Sequence, residues 1–160
     1  MRKVTRNGKV VVHFPTDQAA DKWNKRLETQ IRHLGHLGTA VMTVIVTLAT
    51  KNPAIGIGVG TGTAIGKDEL QARIEYPYAR RGWRIEVLST TTYEQNALSK
   101  DYIVFSYGYV GYNHQGVQQY RKKGLLGGRI EVGQEMNRIP KDVALQMVAR
   151  SSKTTQINYK

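Results

Sequence analysis

The chain has 160 residues, enough for one hydrophobic core, and no cysteine, so disulfide frameworks and thiolate metal sites are excluded. Twenty-four Lys and Arg against twelve Asp and Glu leave a net charge of +12, a surplus that favours anionic partners without specifying a fold. The excess is uneven. Residues 1–33 hold eight Lys/Arg and three Asp/Glu, residues 34–66 hold Lys51 alone, and residues 67–160 hold fifteen and nine. An uncharged island therefore lies between two basic arms. The basic N-terminus lacks the apolar run of a signal peptide, so ordinary secretion is not expected. Localisation stays open, with delivery to a target membrane or association with a virion both compatible.

From the N-terminus, Asn7-Gly8 between Val4-Thr5-Arg6 and Lys9–Val12 predicts a small β-hairpin over 3–13 with a type I′ turn. Pro15 ends that strand and Thr16 is placed to cap a helix. Ala20, Trp23, Leu27, Ile31 and Leu34 then recur every three or four residues, predicting an amphipathic helix over about 17–34.

The uncharged island reads AVMTVIVTLATKNPAIGIGVGTGTAIG from residue 40 to 66. Its Gly66-Lys67 does not make a Walker loop, since Thr61 stands where the first glycine belongs and Asp68 where the hydroxyl belongs. A dinucleotide fingerprint fails too, with Thr63 in its last position. What the segment does have is a period of two. Ala54, Gly56, Gly58, Gly60, Gly62, Ala64 and Gly66 fall on one face, and Ile55, Ile57, Val59, Thr61, Thr63 and Ile65 on the other. In the first arm, Met42, Val44, Val46 and Leu48 alternate with Thr39, Val41, Thr43 and Ile45. The expectation is a long apolar β-hairpin over 36–66, turning at Lys51-Asn52-Pro53. Arms of this length exceed an ordinary strand and match the nine to eleven residues that cross a bilayer. Three settings stay open: a bilayer, a neighbouring subunit, or the chain's own core.

Beyond residue 70 the pattern is one of strands. Gln71–Tyr76 and Trp83–Leu88 flank a six-residue loop; Asp101–Tyr112 reads as a strand bulged at Gly108. Gly124–Gly128 reads as a turn before Arg129–Val132, Pro140–Arg150 as a short helix with Pro in its first turn, and the last ten residues as a frayed tail or an edge strand.

The expected fold is α+β in a single domain over 1–160. Its parts are an N-terminal β-hairpin and amphipathic helix (1–35), the glycine-rich apolar β-hairpin (36–66), and a basic antiparallel β-region (67–160) with a short C-terminal helix. Thr39, Val41, Met42, Val44, Val46, Leu48, Ile55, Ile57, Val59, Thr61 and Ile65 are the candidate membrane residues. Arg80, Arg81, Arg84, Arg121, Lys122 and Lys123 are the candidate anion contacts. Tyr76, Tyr78 and Trp83 interleave with the arginines, a mixture suited both to stacking bases and to anchoring at a lipid interface.

Catalytic signals are sparse. His33 and His36 could share a face, but no third ligand lies nearby in sequence, so no metal or cofactor is expected. His114, near Tyr112, Tyr120 and Arg121–Lys123, is the best candidate for acid–base work on a phosphodiester. Ser89–Thr92 after Arg84, with Glu135 further on, is similar to the arginine, serine-threonine and glutamate layout of ADP-ribosyltransferases, although here Arg84 shares a strand with the threonine run. A non-enzymatic role is expected: bilayer permeabilisation by a homo-oligomer recruited to an anionic membrane surface, as for a delivered toxin or penetration protein. The alternative is a basic structural subunit, virion-like or of another assembly, that exchanges the hairpin and contacts nucleic acid; the third is a basic nuclease toxin.

Overall fold

A computed structural model describes residues 2–34, 77–126, 129–135 and 138–160, with residues 30–34 and 122–126 in backbone only. It is α+β. Strands β1 (Arg2–His13), β2 (Arg84–Gln95), β3 (Tyr102–Tyr112), β4 (Gln118–Leu126) and β6 (Thr154–Asn158) form a sheet in the order β4-β3-β2-β1-β6. The short β5 (Ile130–Glu131) pairs with β3 and makes the sheet six-stranded. Helices α1 (Asp17–Leu34) and α2 (Lys141–Arg150) complete the described fold. The expected apolar hairpin over 36–66 and the strand at 71–76 lie outside the described residues.

The expected N-terminal hairpin is corrected. Residues 2–13 are one strand, paired antiparallel with β2 from Arg2↔Gln95 to His13↔Arg84. Asn7 and Gly8 sit within this ladder opposite Thr90 and Ser89, and Gly8 does not have a positive φ. Its glycine serves close approach instead. A Cβ there would lie 2.6 Å from the carbonyl carbon and oxygen of Ser151 and 2.7 Å from the carbonyl oxygen of Lys153. That proximity lets the backbone after α2 cross β1, where the Lys9 amide donates to the Lys153 carbonyl at 3.1 Å.

Helix α1 forms as its spacing predicts. The Thr16 hydroxyl accepts from the Ala19 amide at 3.1 Å, and Asp17 places negative charge in the first turn, where the helix dipole favours it. Ala20, Trp23 and Leu27 are buried. Trp23 is the pivot. Its ring meets Phe14 and Tyr159 edge-on at 5.4 and 5.2 Å, and its indole N–H donates to the Pro77 carbonyl at 2.8 Å. At the next residue, the Asn24 amide brackets Ala79, donating to its carbonyl at 2.9 Å and accepting from its N–H at 2.8 Å. The chain thus re-enters the described fold pinned to the helix.

Alternation divides the sheet. Ile85, Val87, Thr91 and Tyr93 of β2 and Ile103, Phe105, Tyr107 and Tyr109 of β3 are buried in the layer shared with the helices. Strand β2 continues through Ser89–Thr92, so this run is sheet interior rather than a strand end. The Tyr107 phenol is pushed up to about 12 by burial, and it bonds with Thr91 and Ser151. The ladder between β3 and β4 shifts register between Tyr107 and Tyr109, in keeping with the expected bulge at Gly108.

Three further features differ from expectation. Gly124, Leu125 and Leu126 belong to β4 rather than to a turn, because pairing with Ser106 and Tyr107 extends the strand past the glycine. Pro140 is the N-cap residue of α2, one position before its first turn. The tail does form an edge strand, but it runs parallel to β1, so the sheet is not wholly antiparallel. That direction follows from α2, which carries the chain back across the layer before β6 begins.

Candidate functional site

The registers of four strand pairs bring one residue from each of five strands into a single end row. Asn158 of β6 lies opposite His13 of β1, His13 opposite Arg84 of β2, Arg84 opposite Tyr112 of β3, and Tyr112, across a second register shift that skips Gln119, opposite Gln118 of β4. Directly paired residues share a face, and the neighbours of this row on β1 and β2, Val12 and Ile85, are fully buried on the other side. The row therefore lies on the face away from the helices. With strands about 4.8 Å apart, it crosses the sheet over roughly 19 Å. All five side chains are half-buried or exposed.

Within the row the groups are preorganised. The Arg84 guanidinium lies over the Tyr112 ring at 4.1 Å from its centroid, and its Nε donates to Glu86 at 3.1 Å. Glu86 also accepts from Lys9 at 3.2 Å, so two cations share this carboxylate. His13 Nε2 and Gln156 Oε1 are 2.9 Å apart. The second row carries Gln156, Val11, Glu86, Val110 and Arg121, of which Val11 and Val110 are buried.

Two turns edge this end. Residues 77–83 come back to β2 through Gly82, at φ 79°, whose N–H donates to the Phe14 carbonyl at 2.7 Å. Gly82 lacks a Cβ where the Cβ of His114 would be 3.0 Å away, so the two turns touch. The β3–β4 turn is closed by Asn113, whose side-chain oxygen accepts from the Gln115 and Val117 amides, each at 2.9 Å. Arg80, Arg81 and His114 are exposed on these turns. Beneath them the Tyr120 hydroxyl donates to the Tyr78 carbonyl at 2.7 Å, and its phenol is raised far above the ordinary range, chiefly by burial. At the β1–β6 end of the row a cavity of about 500 Å³ opens, lined by His13, Gln156, Asn158, Gly82 and Trp83 among others. Its volume suits a small ligand or one unit of a larger one.

Of the predicted anion contacts, Arg80, Arg81 and Arg84 come together at this end, and Arg121 shares the same face one row back. Lys122 and Lys123 are placed in β4 by backbone alone. His114 joins the site; His33 is placed by backbone only, and His36 lies outside the described residues, as do all eleven candidate membrane residues. The layout similar to ADP-ribosyltransferases does not assemble. Arg84 and the Ser89/Thr91 pair project from opposite faces of β2, and Thr91 is fully buried against the Ser151 hydroxyl at 2.8 Å. Glu135 is paired instead with Arg138 at 2.8 Å.

Sequence reasoning did not single out His13, Gln118 or Asn158, since what joins them is strand register rather than any local pattern. No three His, Asp or Glu side chains among the described residues are grouped to hold a metal ion. No protein-family model, curated protein or solved structure matches this chain.

Proposed function

We propose that this chain is a membrane-active protein that inserts the glycine- and threonine-rich hairpin of residues 39–65 and oligomerises to permeabilise a bilayer, in the manner of a delivered toxin or penetration protein. One observation carries the reading: a two-residue rhythm with a single charge, sustained over arms long enough to cross a bilayer, set between basic flanks. One hairpin cannot close a barrel, so several copies contribute one each. The position of the flanks supports it. The chain after the segment is pinned to α1 by the Trp23–Pro77 and Asn24–Ala79 bonds, which gives the segment a folded base. Tyr78, 42% exposed, and the exposed Arg80 and Arg81 follow at once, a mixture favoured at the lipid–water boundary. No helix among the described residues is long and apolar enough to cross a membrane.

Dye release from anionic liposomes tests the reading. The intact protein is expected to empty them, and Val44→Asp or Val46→Asp to abolish release while leaving the melting transition of the sheet in place. Liposomes that stay sealed at saturating protein would overturn it.

A second reading rests on the end row. Cations, an aromatic ring and amide groups are gathered on one face, as expected for a basic assembly subunit that exchanges the 36–66 hairpin between copies and packs against nucleic acid. Salt-sensitive retention on nucleic acid without liposome leakage is its expected signature, and no retention at low salt removes it.

A further inference from the structure

We propose that the end row Asn158–His13–Arg84–Tyr112–Gln118 is a binding track for single-stranded nucleic acid. The inference deepens the nucleic-acid contact of the second reading and is independent of the membrane reading.

The arrangement supplies the three things that a single strand requires. The first is a stacking platform. The Arg84 guanidinium carbon lies over the Tyr112 ring, 4.1 Å from its centroid, and an unpaired base extends such a stack on either an aromatic or a guanidinium face. The second is phosphate contact. Arg80 and Arg81 are exposed on the turn that leads into β2, and Arg121 stands on the same face of β4. Glu86, one row back, is held by Lys9 and Arg84 at 3.2 and 3.1 Å, so two cations offset its charge. The third is a set of groups that read a base edge. Gln156 and Asn158 border the 500 Å³ cavity beside His13, and amide side chains carry the paired donor and acceptor that match a base.

The track runs across five strands, so it presents its contacts in a line rather than at one point. A duplex keeps its base faces stacked inside and offers phosphates and groove edges but nothing for the Arg84–Tyr112 stack to extend. A lipid surface would use the cations and leave the amides and the stack unemployed. The observations therefore favour a strand with bare bases.

Fluorescence anisotropy of labelled single-stranded oligonucleotides of about ten residues, with a duplex of equal length and anionic vesicles as competitors, tests this on the full chain. The single strand is expected to bind more tightly than the duplex. Tyr112→Ala is expected to weaken it about tenfold or more, and Arg84→Gln to weaken it similarly. Gln118→Glu, at an exposed site, serves where Tyr112→Ala perturbs the fold. The Arg80→Gln/Arg81→Gln pair should lower the slope of log affinity against log salt by about 1.4, or about 0.7 for each lost phosphate contact. Equal binding of single strand and duplex, unchanged by Tyr112→Ala and Gln118→Glu, would leave the second reading standing and overturn the track. Binding of vesicles alone, with the same sensitivity to Arg84→Gln, would overturn it in favour of a headgroup surface. Absence of any polyanion binding would remove both the track and the second reading.

Discussion

On β2, Ile85, Val87, Thr91 and Tyr93 enter the layer covered by the helices, while Arg84, Glu86, Leu88 and Thr92 project the other way. The same division holds on β3, where Ile103, Phe105, Tyr107 and Tyr109 go inward and Tyr102 and Tyr112 go outward. Inside, the polar groups are bonded to one another: Thr91 to Ser151 at 2.8 Å, and Ser151 to Ser89 at 2.9 Å. Outside, arginines and tyrosines are half-open and held by single carboxylates. The inner face determines whether the chain folds, and the proposed track assigns binding to the outer end row. Substitutions should therefore separate cleanly into losses of stability and losses of binding.

The largest effect is expected at Trp23, which fills the junction of Phe14, Tyr159 and the returning chain at Pro77. Trp23→Ala should cost about 3–5 kcal/mol, read as a lower urea midpoint, because it leaves a cavity and unpairs the Pro77 carbonyl. An inner-face variant that kept its midpoint would break the comparison at its root. Next comes Gly8→Ala. A methyl group placed 2.6 Å from the Ser151 carbonyl must push β1 away from the α2–β6 crossing, at about 1–3 kcal/mol. An unchanged stability would mean that the crossing is looser than its geometry implies.

The Asn7-Gly8 pair also shows where sequence reading stops. A glycine that supplies a positive φ and a glycine that admits a neighbouring backbone look identical in sequence, and the neighbour here is Ser151, at the far end of the chain. Local signals succeeded where local physics decides. Thr16 followed by a stripe through Ala20, Trp23 and Leu27 makes α1, and the aromatic run of Tyr102–Tyr112 makes β3. Strand β4, QQYRKKGLL, has no alternation to announce it; pairing with β3 creates it. The candidate site was half-legible for the same reason. Arg80, Arg81, Arg84 and His114 were visible as charge and chemistry, but the row that joins Arg84 to Tyr112 and His13 exists only through the registers of separate strands.

A third test lies at the opposite end of β2 and β3, and it is set by pH. Asp101 accepts from the Tyr93 hydroxyl at 2.6 Å and from the Asn96 amide at 3.1 Å. These bonds, the Tyr93 one first, hold its carboxyl below the ordinary range. The Tyr93 phenol is raised, mainly by burial and then by Asp101. With its folded pKa depressed, Asp101 contributes stability above its unfolded value near 4, and that contribution is lost as pH falls through the folded value. Asp101→Ala is expected to cost about 1–2 kcal/mol at neutral pH and to flatten the acid limb of the stability profile. A limb as steep as in the parent protein would assign the acid sensitivity to other carboxylates.

The smallest effect is also the sharpest comparison, since the outer face holds two arginine–tyrosine stacks. Arg129 lies over Tyr102 at 3.7 Å, as Arg84 lies over Tyr112, and each arginine also bonds a carboxylate. Around Arg129 every neighbouring cation among the described residues is tied to a carboxylate. Glu94 takes Arg129 at 2.9 Å and Lys3 at 3.7 Å, while Glu131 takes Lys100 at 3.3 Å and Arg138 at 2.7 Å. That stack closes the far end of the sheet as a clasp, whereas exposed Arg80 and Arg81 stand near Arg84. Arg129→Gln should therefore lower stability by about 0.5–1 kcal/mol through the lost ring contact and leave oligonucleotide affinity unchanged. Arg84→Gln should do the reverse, with a small stability change and a clear loss of binding. If both variants weakened binding equally, the two stacks would be one continuous surface, and the distinction between clasp and track would collapse into general attraction by a basic sheet.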